Sequence, residues 1–161
     1  MMTGTVLISL KGLSNRQFTK IKYMEYRQNR TVSRSSINKS MLENADVEVP
    51  STWSELKSAA KELSRDDCSG FAMCAQAGEE GAFQYVPFLW SLERDVTNLG
   101  SDKGVEALTF LNGLVEDGSM SLDCLNYSQA DVAKQFAAGN CAMMINGPWN
   151  VSVVKNDNPE L

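Results

Sequence analysis

The 161-residue sequence contains no histidine, and no apolar run in it approaches the roughly 20 residues needed to span a bilayer. Without histidine, neither a Ser-His-Asp triad nor a Cys-His pair is available for catalysis. The absence of histidine also excludes a Cys/His zinc site, and a four-cysteine site is disfavoured because the cysteines form no C-x-x-C pair. We therefore expect a non-enzyme without metal or cofactor, whose four cysteines are reduced, mostly buried thiols: Cys68, Cys74, Cys124 and Cys141.

No export signal is visible in the sequence, because the apolar stretch 5–10 is too short for one and follows no basic residue. Acidic residues outnumber basic ones by 20 to 15 over the whole chain. The first 37 residues invert this balance, with seven lysines or arginines against Glu25 alone. A basic segment is compatible with nucleic-acid contact, but these charges follow no helical stripe. We interpret it as a foreign or poorly structured leader, and we expect no nucleic-acid partner.

Beyond this segment, apolar periodicity and capping signals predict helices that alternate with short, buried strands. Thr52 with Glu55, and Ser128 with Asp131, have the spacing of capping boxes. Such alternation predicts an α/β layer structure, a short central sheet flanked by helices. The predicted strands are 5–10, 71–74 and 141–145, and the polar stretch 29–36 is predicted to be a loop. The predicted helices are 38–45, 52–64, 82–90, 101–117 and 128–138. Pro87 is expected in a first turn of its helix or at a kink.

Five segments in order carry a resemblance to a known family. They are Val49-Pro-Ser-Thr-Trp-Ser-Glu-Leu56, Glu106-Ala-Leu-Thr-Phe-Leu111, Tyr127-Ser-Gln-Ala130, Phe136-Ala-Ala-Gly139 and Ala142-Met-Met-Ile-Asn-Gly-Pro-Trp149. Together they resemble family 1 of the extracellular solute-binding proteins, the maltose-binding-protein-like receptors of ABC sugar importers.

The resemblance implies a periplasmic-binding-protein-like lobe, here incomplete. Residues 37–161 correspond to most of the family's second lobe, and residues 1–36 form a non-matching basic leader. The implied function is non-catalytic binding of an oligosaccharide at the extracellular face or in the periplasm, with an ABC transporter permease as partner. Since ligand binds between two lobes in this family, we expect this single lobe to bind sugar very weakly.

An aromatic ring at the carboxyl edge of an α/β sheet suits the apolar face of a sugar, while side-chain amides and carboxylates suit its hydroxyls. Trp149 follows the strand 141–145, and the loop after the strand 71–74 leads to the same edge. Gly147 is expected to permit the backbone of the turn. The candidate ligand-binding residues are Trp149, Tyr127, Phe83, Gln84, Glu80 and Asn146.

Four of these candidates have a structural alternative: Trp149 as a core residue, Tyr127 as packing beneath a helix start, Asn146 as a brace for the turn, and Glu80 as part of a solvated loop pair with Glu79. A glycosidase that uses Glu79 and Glu80 is disfavoured, because adjacent carboxylates rarely oppose each other across a bond. The competing hypothesis for the chain is a structural fragment that binds no ligand. Such a fragment would form a homodimer or domain-swapped oligomer through its exposed interlobe surface.

Overall fold

The structure is a computed structural model that describes residues 5–8, 34–92, 97 and 99–161. Most of the basic segment lies outside these residues. The strands are β1 (Thr5–Ile8), β2 (Arg34–Asn38), β3 (Ser69–Ala72) and β4 (Cys141–Asn146). The α-helices are α1 (Lys39–Asn44), α2 (Trp53–Leu63), α3 (Glu79–Ser91), α4 (Asp102–Glu116), α5 (Gln129–Ala137) and α6 (Val151–Asp157), and single 3₁₀ turns occupy Leu122–Leu125 and Pro148–Asn150.

The described strands form one sheet in the order β1-β2-β4-β3. β3 and β4 are parallel, with Phe71 opposite Met143, whereas β2 is antiparallel to both β1 and β4. Every residue of β4 is buried. Apolar clusters lie on its two faces, one built with α2 and α4 and the other with α5 and α6. This confirms the predicted α/β layers, and it brings the carboxyl ends of β3 and β4 to one edge.

Local signals fix the helix ends. Both predicted capping boxes are present: Thr52 with Glu55 begins α2, and Ser128 with Asp131 begins α5. Gly118 and Gly139 follow α4 and α5 with φ of 78° and 80°, a left-handed conformation that glycine adopts without a steric cost. The helix ends that orient the loops are therefore encoded within a few residues of each end.

One prediction from the sequence was wrong, and one of the two alternatives for Pro87 is excluded. The predicted loop 29–36 overlaps β2, because pairing with β1 and β4 extends the polar residues Ser35 and Ser36 into a strand. Pro87 does not lie in a first turn, since α3 begins at Glu79. Its missing N–H instead removes the helical hydrogen bond to the Phe83 carbonyl.

Of the predicted strand 5–10, residues 5–8 are confirmed, and residues 9 and 10 lie outside the described part. The predicted boundary at residue 37 falls within β2. Among the described residues, no helix is long and apolar enough to cross a membrane, and no group of acidic and cysteine side chains is arranged to hold a metal ion. The four cysteines are free thiols. Burial raises the pKa of the Cys141 thiol.

Candidate functional site

The candidate site lies at the carboxyl edge of β3 and β4. The chain leaves β4 through Gly147 and enters the 3₁₀ turn that carries Trp149, while the loop after β3 leads into the first turns of α3. The rings of Trp149 and Phe83 meet there, with centroids 5.6 Å apart and planes inclined by 64°. Their side chains remain 42% and 38% exposed. Two aromatic rings therefore form an open corner at this edge.

Trp149 is held in place at its polar atom. Its Nε1–H donates to Oε1 of Gln129 at 2.9 Å. Gln129 is the first residue of α5 and only 7% exposed. A hydrogen bond to a buried acceptor limits rotation of the indole, so the exposed part of the ring faces solvent in a defined orientation.

Gly147 leaves space beside the main chain for the indole of Trp149. Its φ of −93° is one that any residue adopts, so the turn does not need glycine for its backbone, contrary to the expectation from the sequence. A Cβ at this position would instead collide with the six-membered ring of Trp149. Gly147 therefore lets the ring lie against the main chain, a close approach that only glycine permits.

Glu80 lies beside the start of α5. Its carboxylate accepts a hydrogen bond from the Gln129 backbone N–H at 2.8 Å and one from Gln76 Nε2 at 3.3 Å. The positive end of the α5 dipole favours a negative charge at this position. The structure thus brings Glu80 close to Trp149 and Phe83 by way of Gln129, and gives its carboxylate a capping role.

Gln84 and Asn146 lie beneath this edge instead of on it. Gln84 is fully buried, and its Oε1 accepts from the Cys74 N–H at 2.6 Å. Asn146 is 2% exposed; its Nδ2 donates to the Gln129 carbonyl at 2.8 Å and its Oδ1 accepts from the Gly147 N–H at 2.9 Å. In this arrangement both amides brace the backbone that carries the aromatic corner, which for Asn146 corresponds to the structural alternative.

Tyr127 is separated from the corner. Its half-buried side chain lines a cavity of about 30 Å³ together with Ser69 and Cys141, the first residues of β3 and β4. Burial raises the pKa of its hydroxyl. Tyr127 thus packs toward the amino ends of these strands, whereas Trp149 and Phe83 meet at their carboxyl ends.

Sequence reasoning missed Gln129, the residue that joins the site. Its side chain contacts Trp149 across 20 positions, and its backbone contacts Glu80 across 49. The available signal was the capping box, which makes Gln129 the first residue of a helix that starts near the predicted edge. A polar residue there could have been added to the candidates.

Similarity to known proteins identifies the family of this chain. The profile of the bacterial extracellular solute-binding proteins matches residues 33–161. A Brucella abortus (strain 2308) protein named as a binding protein is 26% identical over 133 residues, which cover 77% of this chain and 32% of that protein.

Two solved structures are similar in fold. One is an ABC transporter solute-binding protein from Thermotoga lettingae bound with α-D-tagatose, with a TM-score of 0.72 and 26% identity over 80% of this chain and 36% of that chain. The other is maltose-bound MalE3 from T. maritima, with a TM-score of 0.72 and 25% identity over 78% of this chain and 34% of that one. The chain spans about a third of the length of each of these proteins. With a family profile matched over most of its length and a periplasmic-binding-protein fold, the chain belongs to the bacterial extracellular solute-binding proteins.

Proposed function

We propose that this chain supplies one carbohydrate-binding face of a sugar receptor for an ABC importer and that it catalyses no reaction. The family and the sugar-bound proteins of similar fold support this proposal. On the same grounds we propose that the receptor acts outside the cytoplasmic membrane and delivers its ligand to a membrane permease. The proposed ligand class is a neutral oligosaccharide.

The observation that carries the proposal is the open corner formed by Trp149 and Phe83. An exposed indole costs free energy in water, yet this one is hydrogen-bonded in place and left 42% exposed. A pyranose has an apolar C–H face that matches an aromatic ring and a rim of hydroxyls that matches amides and carboxylates. Trp149 and Phe83 supply the rings, and Glu80, which is bonded to the backbone N–H of Gln129, supplies a carboxylate.

The expected affinity of this face alone is low. Covering about 100 Å² of aromatic surface at roughly 25 cal/mol per Å² gives about 2.5 kcal/mol, which corresponds to a Kd on the order of 10 mM. Ligand sites with high affinity bury most of the ligand surface. Binding by the isolated chain therefore needs a method that detects millimolar complexes.

The test is a ¹H–¹⁵N NMR titration of the chain with maltose. We expect the indole N–H resonance of Trp149 to shift in the millimolar range, and Trp149→Ala to abolish the binding seen at neighbouring backbone resonances. Leu108→Ala is the matched control, because Leu108 is 54% exposed on α4 and should leave binding unchanged. A Kd in the micromolar range would contradict the expected weakness. Equal binding by Trp149→Ala and the parent chain would rule out the proposed face.

A second candidate function is self-association without ligand. It is favoured by exposed leucines and valines elsewhere, since Val105 and Leu108 on α4 and Leu122 and Leu125 after it are more than half exposed. A homodimer or domain-swapped oligomer would cover such surface. Light scattering across a range of concentrations separates the candidates: a monomer that binds maltose supports the receptor, and an oligomer that binds no sugar supports the interaction role.

A further inference from the structure

Three polar contacts of the aromatic corner converge on Gln129. Its side-chain Oε1 accepts from Trp149 Nε1, its backbone N–H donates to the Glu80 carboxylate, and its backbone carbonyl accepts from Asn146 Nδ2. These three bonds measure 2.9, 2.8 and 2.8 Å. One residue thus links α3, α5 and the turn after β4.

The side chain of Gln129 is restrained before it meets Trp149. The capping box of Ser128 and Asp131 fixes the backbone at the start of α5. Gln129 Nε2 donates to the Glu80 carbonyl at 3.5 Å, which orients the amide so that its oxygen points to the indole. Since the side chain is 93% buried, little rotamer freedom remains to be lost when it binds the indole.

The second restraint on the indole is the main chain at Gly147, against which the six-membered ring lies. Gln129 holds the N–H of the five-membered ring, and Gly147 accommodates the other end. Phe83 meets the indole at a steep angle and covers part of it. The surface left to solvent is thus carbon, because the single donor of the indole is already satisfied within the chain.

We propose that Gln129 is a positioning residue that fixes the Trp149 indole by accepting its N–H, so that this position of the site binds the C–H face of a sugar ring and not a hydroxyl. This inference rests on the proposed function for the identity of the ligand. The fixed indole itself is a property of the chain without ligand. An experiment can therefore distinguish a failure of the positioning role of Gln129 from a failure of the proposed function.

The test substitutes Gln129 by Met, which preserves length and removes the acceptor. The Trp149 indole N–H resonance, assigned by its loss in Trp149→Phe, should move upfield, and its hydrogen exchange should become about two- to tenfold faster, the factor that corresponds to one net hydrogen bond. Gln135→Met is the matched control on the same helix, because Gln135 bonds Asn140 and not Trp149.

Maltose titration supplies the second readout. Gln129→Met should weaken binding by the same two- to tenfold factor, and Gln135→Met should not, if the fixed indole is what the sugar meets. An indole resonance and exchange rate unchanged in Gln129→Met would overturn the positioning role, whatever the parent chain binds. Absence of maltose binding by the parent, with the indole readouts as expected, would instead count against the proposed function alone.

Discussion

Two groups of aromatic rings in this chain have similar chemistry and opposite surroundings. Trp53 stacks on Phe110 at 4.6 Å and meets Phe88 at 6.0 Å, between α2, α3 and α4. Trp149 meets Phe83 at 5.6 Å at the sheet edge, where both stay substantially exposed. Phe88 of the first group belongs to a hydrophobic core that joins three helices, and Trp53 and Phe110 pack against it partly buried. The second group belongs to neither hydrophobic cluster of the described residues, and we propose that a ligand covers its exposed surface.

The difference between the two groups lies in what holds each tryptophan. Trp53 is held by packing, which is non-directional and scales with buried area. Trp149 is held by a directional hydrogen bond to Gln129 and by a close approach to Gly147. Packing makes a ring part of the interior, whereas a directional restraint can present a ring at the surface in one orientation. The comparison predicts that stability and ligand binding depend on different tryptophans.

The largest expected effect is on stability at the core group. Trp53→Ala should lower the free energy of unfolding by about 3 kcal/mol, because it removes a stacked ring from between three helices. Trp149→Ala should cost only about 1 kcal/mol, since much of that ring is already in water. Urea unfolding followed by far-ultraviolet circular dichroism measures both without relying on tryptophan fluorescence. Similar losses in the two variants would mean that the edge pair is part of the core.

A smaller effect is expected from Gly147→Ala. The added Cβ collides with the Trp149 ring, and overpacking of this kind costs about 1–3 kcal/mol. The indole should also rotate out of its place, which red-shifts or quenches its fluorescence and removes maltose binding. Gly100→Ala is the matched control, because a Cβ there meets nothing within 4 Å and should change neither property. An unchanged Trp149 signal in Gly147→Ala would show that the ring does not depend on this contact.

The parts of the fold that were predicted from the sequence are those encoded locally. The caps of α2 and α5 and the glycines after α4 and α5 lie within a few residues of the helix ends they define, and apolar runs marked β3 and β4. β2 was missed because its residues Ser35 and Ser36 have no strand pattern of their own. Their conformation is imposed by neighbours distant in sequence, which overrides local propensity.

The candidate site was predicted less completely for the same reason. The resemblance indicated Trp149, and the position after the predicted strand 71–74 indicated the segment with Phe83, but the sequence does not show which face of α3 each residue occupies. Gln84 follows Phe83 directly and is fully buried, while Phe83 is exposed. Gln129 acquires its role only through contacts 20 and 49 positions away. Exposed and buried candidates are therefore distinguished by tertiary packing, which no local pattern reports.

Removing the negative charge of Glu80 beside the start of α5 should have a smaller effect on stability. Glu80→Gln should destabilise the chain by about 0.3–1 kcal/mol, because it removes an anion from the amino end of α5. Glu79→Gln, at the neighbouring exposed position, should change stability less and serves as the control. The difference between the two variants should shrink in 1 M salt, which screens such interactions. A salt-independent difference would mean that Glu80 acts through hydrogen-bond geometry and not through charge.

The smallest expected effect is the pH dependence of the α5 cap, which the core aromatic group should not share. The hydroxyl and the backbone N–H of Ser128 donate to the Asp131 carboxylate at 2.6 and 3.1 Å and hold its pKa below the ordinary value of 3.8. A carboxyl whose pKa is lower in the folded than in the unfolded state stabilises the fold above the unfolded value. That stabilisation is lost as pH falls from about 4 through the lowered folded pKa.

Because the Asp131 side chain is 46% exposed, solvent screening keeps this contribution to about 0.5 kcal/mol or less. Asp131→Asn retains an acceptor for Ser128 but no longer titrates, so urea unfolding at pH 6 and pH 3 should show a smaller loss for the variant than for the parent chain. Glu55 and Asp117 also have lowered pKa values and titrate in both proteins, so they cancel in that difference. In the same acid range the indole N–H of Trp149 should lose more protection in the parent chain than in Asp131→Asn, because weakening of the α5 cap loosens Gln129. Equal loss of protection in the two proteins would show that the charge of Asp131 does not control the position of the indole.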